Sequence, residues 1–169
     1  PYWTSNFDAY RVDLAVGGSG GRDTIVLEVR PGWNLLSIPF TPDGGDTIED
    51  VLAGPTREPL FVGTVWAWDA AEQNYMAVVG RPAGQQGLWV YRDSASTIAA
   101  SRMLSGATKR SGGIPLNSGW NLVGPSQDTT LGAVEGEKDS RAWRWNIAEQ
   151  SYEGMTSETA LKRGDGYWI

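Results

Sequence analysis

The stretch Gly32-Trp33-Asn34-Leu35-Leu36-Ser37-Ile38-Pro39 decides how this chain is organised. A close copy returns 87 residues later as Gly119-Trp120-Asn121-Leu122-Val123-Gly124-Pro125. Return of one motif at a long spacing is the signature of a repeat architecture. Each copy is a short apolar run that follows a glycine turn, so each predicts the strand that begins the core of a repeat.

The other tryptophans repeat with this motif. All nine fall into matched sets, namely Trp33 with Trp120, Trp66 with Trp143, Trp68 with Trp145, and Trp3 with Trp89 and Trp168. Residues 66–75 and 143–152 agree at a constant offset of 77, and each predicts a β-hairpin that begins with Trp-x-Trp. The fall in offset from 87 to 77 places about ten extra residues between Asp43 and Gly63, which we interpret as a longer surface loop.

The third tryptophan set, Trp3 with Trp89 and Trp168, indicates where each repeat begins and ends in the chain. We interpret residues 1–31 as the tail of a preceding repeat, with a strand hairpin over 7–29, residues 32–118 as repeat 1, and residues 119–169 as repeat 2, truncated at a Tyr-Trp edge. Tyr2-Trp3 and Tyr167-Trp168 are then equivalent edges of a segment of a longer array. Alternatively, the terminal strand of one repeat completes the sheet of the other.

The predicted fold is mainly β, with two tandem repeats of short antiparallel strands and short helices. A helix over about 46–54 is indicated by Asp46 or Thr47 as its cap and Gly54 as its end. Weaker helical signals lie at Asp128 to Val134 and at Ser157 to Arg163. A fragment of a kelch-like propeller is the alternative fold, although two repeats supply few blades.

Composition excludes several classes of site and partner. The chain has no cysteine and no histidine, so thiolate and imidazole metal sites and the usual Ser-His-Asp machinery are absent. A net charge of −6 without any basic run argues against nucleic acid and anionic membranes as partners. No apolar run reaches the length of a membrane span, so membrane insertion is not expected.

The motifs also resemble a known family. GWNLLSIP, VWAWDAAEQNY and GLWVY, followed by GWNLVGP, WRWNIAEQSY and GDGYWI, resemble the GWNLxSLP…W.YD…GYWV tandem modules of bacterial secreted and cell-surface proteins. The resemblance covers nearly the whole chain twice. It implies an extracellular module and brings no catalytic residues. The second copy departs from the pattern, with Gly124 where the first copy has Ser37.

The tryptophans have two competing interpretations. Each indole buries about 150–250 Å², so Trp33, Trp120, Trp89 and Trp168 are predicted to be core. In the hairpins, alternate residues of a strand share a face, so each Trp-x-Trp pair places both rings on one side of its strand. For these pairs two alternatives stay open, burial in the core or exposure of one ring, Trp66 or Trp68 in the first hairpin, to bind sugar rings. The candidate ligand-binding residues are therefore Trp66, Trp68, Trp143, Trp145, Tyr75 and Tyr152.

Polar residues in the motifs are best explained by local structure. Asp69 and Asn146 start the hairpin turns, where a short acceptor side chain binds backbone amides. Asn34 and Asn121 are expected to bind backbone groups beside a strand. The acids Asp43, Asp46, Glu49 and Asp50 are a weak calcium candidate, since their spacing does not match an EF-hand loop. No catalytic residue and no cofactor are predicted.

These observations predict a non-enzymatic extracellular structural or surface-assembly repeat module. Its partners would be neighbouring repeats or copies of itself, joined head to tail through the Tyr-Trp edges into filaments. The alternative is a carbohydrate-binding module that uses exposed Trp-x-Trp hairpins to bind polysaccharide. Solvent exposure of the hairpin tryptophans separates the two interpretations.

Overall fold

A computed structural model describes residues 21–53, 60–93, 95, 100–107, 113–114, 116–134 and 141–169. The strands are β1 (Arg22–Val29), β2 (Gly32–Ser37), β3 (Thr41–Pro42), β4 (Val62–Asp69), β5 (Asn74–Ala77), β6 (Gly87–Arg92), β7 (Ala100–Ala107), β8 (Leu122–Val123), β9 (Thr129–Thr130), β10 (Ala142–Asn146), β11 (Ser151–Met155), β12 (Ala160–Leu161) and β13 (Tyr167–Trp168). One α-helix, α1 (Ile48–Leu52), and one 3-10 helix, Leu131–Ala133, complete the described elements. The predicted mainly-β class is confirmed.

Each repeat forms its own four-stranded antiparallel sheet, and the two sheets share one strand order. The order is β2-β6-β4-β5 in the first repeat and β8-β13-β10-β11 in the second. In both sheets the strand that comes last in the chain, β6 or β13, lies between the first strand and the hairpin. The strands of a propeller blade follow sequence order, so this insertion is not the arrangement of a kelch-like blade.

The described residues also form two smaller sheets. Strand β1 pairs along its whole length with β7, and β3 pairs with the end of β7. Strand β12 pairs with β9 inside the second repeat. The predicted hairpin over 7–29 falls partly on residues 1–20, which lie outside the described residues, as do Tyr2-Trp3 and residues 54–59 of the predicted loop. Strand β1 is the described part of this predicted hairpin, and its partner β7 lies far from it in the sequence.

The helical predictions met different outcomes. The helix at residues 46–54 is confirmed as α1, and Thr47 caps it by accepting a 3.1 Å hydrogen bond from the Asp50 amide. The helix predicted from Asp128 to Val134 is not formed, because that segment contains strand β9 followed by the short 3-10 helix. The predicted turn of helix at Ser157 to Arg163 is wrong, because that segment contains strand β12. Pairing with β9 satisfies its backbone in place of a helical turn.

Contacts between the two repeats are reciprocal. Leu36 bridges Asp165, and Val123, the counterpart of Leu36, bridges Gln86, the counterpart of Asp165. Backbone hydrogen bonds follow the same rule, with 2.8 Å from Ser37 N to Gly164 O and 2.9 Å from Gly124 N to Gln85 O. When residue i contacts j and the counterparts of both also meet, the interface is isologous. The repeats are therefore related by a local twofold axis.

The terminal strand β13 is internal to its sheet. Tyr167 and Trp168 pair with β10 on one side and with β8 on the other. The expectation that this Tyr-Trp strand is a free edge is therefore wrong. It also completes the sheet of its own repeat, so strand exchange between the two described sheets does not occur. The repeats meet through side chains and isolated bridges instead.

Three apolar clusters are found among the residues that the structure describes. One lies in the first repeat and includes Ile38, Phe40 and the buried face of α1. A second lies in the second repeat around Leu161. The third joins the repeats and consists of matched pairs, Leu35 with Leu122 and Trp89 with Trp168, against which Trp68 and Trp145 pack.

Candidate binding face: two aromatic grooves

The two hairpin turns are built alike. Asp69 Oδ1 accepts hydrogen bonds from the amides of Ala71 and Glu72, at 2.9 and 3.2 Å. Asn146 Oδ1 does the same for Ala148 and Glu149, at 3.0 and 3.1 Å. The predicted turn role of Asp69 and Asn146 is confirmed, because an acceptor oxygen is all that this turn requires.

A glutamine from each hairpin clamps the other repeat. Gln150 Oε1 accepts from Trp33 N at 2.7 Å, and its Nε2 donates to Trp33 O at 3.0 Å. Gln73 makes the same pair with Trp120, at 2.9 and 3.0 Å. Both glutamines have positive φ, 53° for Gln73 and 50° for Gln150, which aims them out of the turn. Each hairpin thereby positions the leading tryptophan of the opposite repeat.

Backbone conformation explains the glycine that precedes each leading tryptophan. Gly32 has φ of 95° and Gly119 has φ of 84°, a region that L side chains rarely adopt. A Cβ on Gly32 would also lie 2.6 Å from Oε1 of Gln150, and one on Gly119 would lie 2.7 Å from Oε1 of Gln73, so a side chain there would displace the clamp. The Gly-Trp dipeptide of the motif therefore meets a backbone requirement and leaves room for the glutamine of the other repeat.

The asparagine of the motif braces the backbone that leads into the strand. Asn34 is 1% exposed, accepts from Arg30 N at 2.9 Å and donates to Arg30 O and Gly32 O at 2.8 and 2.9 Å. Asn121 makes the matching set with Asn117 and Gly119. The predicted binding of backbone groups by these asparagines is confirmed.

The second tryptophan of each hairpin also reaches across the junction. Trp68 Nε1 donates to Trp120 O, and Trp145 Nε1 donates to Trp33 O, both at 2.8 Å. These indoles are half-buried against the junction cluster. They continue into a network of perpendicular rings in which Trp68 packs on Trp168, and Trp145 on Trp89, with centroids 5.0 Å apart in each pair.

Tyr75 and Tyr152 join the two halves of this network. Each tyrosine stands opposite the second tryptophan of its own hairpin, Tyr75 against Trp68 and Tyr152 against Trp145, with centroids 5.0 Å apart. Each also approaches a buried indole, Tyr75 that of Trp168 and Tyr152 that of Trp89, at 6.1 Å. Desolvation, followed by the proximity of Tyr152, raises the pKa of Tyr75. Perpendicular packing of this kind stabilises aromatic pairs by about 0.5–1.5 kcal/mol beyond their burial.

Two open grooves lie on this aromatic face, and they are counterparts of each other. The first, of about 460 Å³, is lined by Trp33, Trp66, Tyr75, Trp89, Trp145 and Tyr152. The second, of about 390 Å³, is lined by Trp120, Trp143, Tyr152, Trp168, Trp68 and Tyr75. Every lining residue of one groove has its repeat counterpart in the other. The two volumes fall within the range of about 300–1,000 Å³ that ligand pockets occupy.

The six predicted site residues are divided between the two grooves in a way that the sequence did not indicate. All six lie on the face, but each Trp-x-Trp pair is divided, with Trp66 in the first groove and Trp68 in the second. Of the two alternatives for these pairs, the structure has the one with an exposed ring: Trp66 and Trp143 are exposed at 38% each, and Trp68 and Trp145 are half-buried. Each groove is thus composed from both repeats, which inspection of one hairpin does not reveal.

The core prediction held for only half of its members. Trp89 and Trp168 are buried, whereas Trp33 and Trp120 are exposed at 39% and 38%, so their assignment to the core is wrong. The glutamine clamps hold the backbone of these two residues at the junction, and their rings remain on the surface. Recurrence in both repeats could not have revealed this, because the buried pair Trp89 and Trp168 recurs in the same way.

The grooves are neutral, and the polar side-chain atoms of their lining residues are indole N–H and phenol O–H groups. No lining residue carries a charged side chain. The indole N–H groups of Trp33, Trp66, Trp120 and Trp143 make no hydrogen bond with the described residues. Aromatic rings have apolar faces, and these rings carry hydrogen-bond donors at their edges. They suit a ligand that also has apolar faces and polar groups along its edge.

The acidic calcium candidate is not assembled. Asp43 Oδ2 is 2.6 Å from Arg22 Nη2 and accepts from Ser105 Oγ at 3.2 Å, while Asp46 faces Arg81 at 3.5 Å. Among the described residues, acidic side chains do not gather into a group that could hold a metal ion. The acids at the start of α1 are explained by the helix dipole.

Comparison with known proteins gives no relative for this chain. No family model matches the sequence, and neither a curated protein nor a solved structure is significantly similar to it. Within the described ranges, no helix has the length and apolarity needed to cross a membrane.

Proposed function

We propose that this chain is a non-enzymatic, extracellular repeat module that binds a neutral polysaccharide through its two aromatic grooves. One observation carries the proposal. Four indoles, those of Trp33, Trp66, Trp120 and Trp143, keep more than a third of their surface in solvent on one face, although the junction buries their neighbours. Contiguous exposed apolar surface on a folded domain marks an interaction site.

The chemistry of the lining favours sugar rings. A pyranose presents C–H groups on its faces and hydroxyls at its edge, and the grooves present ring faces with N–H and O–H groups at ring edges. The phenols of Tyr75 and Tyr152 both donate and accept, which matches hydroxyl groups. A proline-rich peptide in the polyproline II conformation also docks on aromatic grooves but offers mainly carbonyl acceptors. Absence of charge in the lining favours a neutral glycan over an anionic one.

Other classes receive less support from the same residues. Nucleic acid bases also stack on aromatic rings, but such sites add a positively charged track, and this chain carries a net charge of −6. Glycoside hydrolysis requires a pair of carboxyl groups beside the bond, and neither groove is lined by an acid. The resemblance to bacterial surface modules supports an extracellular setting in a longer chain of repeats, which is part of the proposal.

The test is binding of the purified chain to neutral polysaccharides. Affinity electrophoresis through gels that contain β-glucan, xylan or mannan, together with quenching of tryptophan fluorescence, is expected to show retardation and a saturable signal. The double variant Trp66→Ala/Trp143→Ala is expected to lose both. Met103→Ala, which removes an exposed apolar side chain from β7 outside either groove, is the matched control. Binding of a proline-rich peptide but of no glycan would reject the proposed ligand class.

A further inference from the structure

The two grooves are related by the local twofold axis, which decides how each groove is oriented toward a ligand whose two ends differ. The axis relates repeat 1 to repeat 2, as shown by the matched bridges of Leu36 to Asp165 and of Val123 to Gln86. Both grooves include Tyr75 and Tyr152, which are themselves counterparts. The axis must therefore pass between these two tyrosines, with one groove on either side.

The position of the axis fixes the relative direction of the grooves. Because the two grooves adjoin at exposed side chains, Tyr75 at 48% and Tyr152 at 46%, they open on the same side of the molecule. An axis that relates two adjoining sites on one face runs out of that face. Rotation by 180° about such an axis reverses every direction that lies in the face. The grooves are thus equivalent and antiparallel.

A polysaccharide has a reducing and a non-reducing end, so one straight chain cannot lie in both grooves in the same manner. If it fits one groove in its preferred direction, it meets the other reversed. We propose that the module has two independent, antiparallel binding sites and joins two chain segments rather than lying along one. The inference rests on the proposed function and adds valency and direction to it.

The structure assigns one ring to each site that can be removed separately. Trp66 lines only the first groove and Trp143 only the second. Neither indole takes part in the perpendicular ring pairs or in a hydrogen bond among the described residues, so its loss leaves the junction intact. By contrast, Tyr75 and Tyr152 line both grooves, and their substitution affects both sites together.

The binding test uses a soluble neutral hexasaccharide of the glycan class that retards the chain in gels. Isothermal titration is expected to give two sites per chain for the unchanged protein, one for Trp66→Ala, one for Trp143→Ala and none for the double variant. With a long soluble polysaccharide, light scattering is expected to report cross-linked aggregates for the unchanged protein and none for either single variant. Thermal unfolding confirms that each variant folds.

The possible outcomes separate the two proposals. One site per chain, abolished by either single substitution, would show a continuous site across both grooves and would overturn the inference while leaving polysaccharide binding in place. Two sites without cross-linking would also overturn it, since two chain segments would not be joined. Absence of glycan binding in the unchanged protein would reject the proposed function and the inference with it. Met103→Ala is expected to retain two sites and cross-linking.

Discussion

Ser37 and Gly124 occupy the same position in the two repeats and face each other across the junction. Ser37 is fully buried, and its Oγ donates to Asp165 O at 3.0 Å. A Cβ built on Gly124 would overlap Oγ and Cβ of Ser37. Two counterparts that face each other lie beside the twofold axis, where two identical side chains would compete for one space. The departure from the motif at Gly124 is therefore a requirement of the symmetric junction.

We expect Gly124→Ala to destabilise the fold by about 1–3 kcal/mol, the usual range for overpacking a filled interior. In a Ser37→Gly background the same substitution is expected to be less costly, because the overlapping side chain is gone, although the Asp165 carbonyl still crowds the site. Denaturant unfolding of the four chains in a double-mutant cycle measures the coupling. Additive effects would contradict direct contact between the two positions.

Because the two glutamine clamps are equivalent, substitution of either glutamine is expected to lower the free energy of unfolding by the same amount. Gln73→Ala and Gln150→Ala each remove hydrogen bonds to the opposite repeat and are expected to destabilise by about 1–2 kcal/mol. Both positions already have positive φ with a side chain present, so alanine adds no new class of strain. Gln127→Ala, at an exposed position outside the clamps, is the control and is expected to change stability by less than about 0.5 kcal/mol. A loss confined to one of the two clamp variants would contradict the symmetry.

Removal of the buried asparagine braces should be more damaging than loss of an exposed polar group. Asn34→Ala leaves the N–H and C=O groups of Arg30 without the partner that Asn34 supplies. We expect a loss of about 1–3 kcal/mol, and a similar one for Asn121→Ala. Asn34→Asp keeps the acceptor but not the donor and should be no better tolerated. Calorimetric melting temperatures check these values, and near-neutral effects would show that the braces are dispensable.

The second hairpin carries a pH-dependent contact that the first lacks. Hydrogen bonds from Asn146 and then from Arg144, at 2.6 Å each, lower the pKa of Glu153 below its ordinary value of 4.5. A carboxyl group whose pKa is lowered on folding stabilises the fold above its unfolded pKa, and the contribution is lost as the pH falls through the lowered value. At this counterpart position the first repeat has Met76.

We therefore expect Glu153→Gln to be less stable than the unchanged chain at pH 7 and equally stable once the pH is well below 4.5. Melting curves recorded from pH 7 downward measure the convergence. Glu72→Gln removes the same charge from the first hairpin and controls for the change in net charge. If the difference between Glu153→Gln and the unchanged chain persisted undiminished in acid, ionisation of Glu153 would not be its source.

Much of the fold could be predicted because its signals are local. The repeated Trp-x-Trp segments with Asp69 or Asn146 at their turns located the hairpins at 66–75 and 143–152, and the capping residues at 46–47 located the start of α1. Ser157 to Arg163 was mistaken for helix because a two-residue strand leaves little pattern, and its pairing with β9 is a tertiary event. The partnership of β1 with β7 joins residues some 80 positions apart, which no local pattern encodes.

By itself, the sequence determined the duplication, the phase of the tryptophan sets and the turn chemistry of Asp69 and Asn146, since each depends on residues close together in the chain. The tertiary structure alone decided that the repeats face each other about a twofold axis. Only that arrangement sends Gln150 to Trp33 and Gln73 to Trp120, divides each Trp-x-Trp pair between two grooves and leaves Trp33 and Trp120 in solvent. Burial of an aromatic ring is set by what packs against it, and here the packing partner is the other repeat.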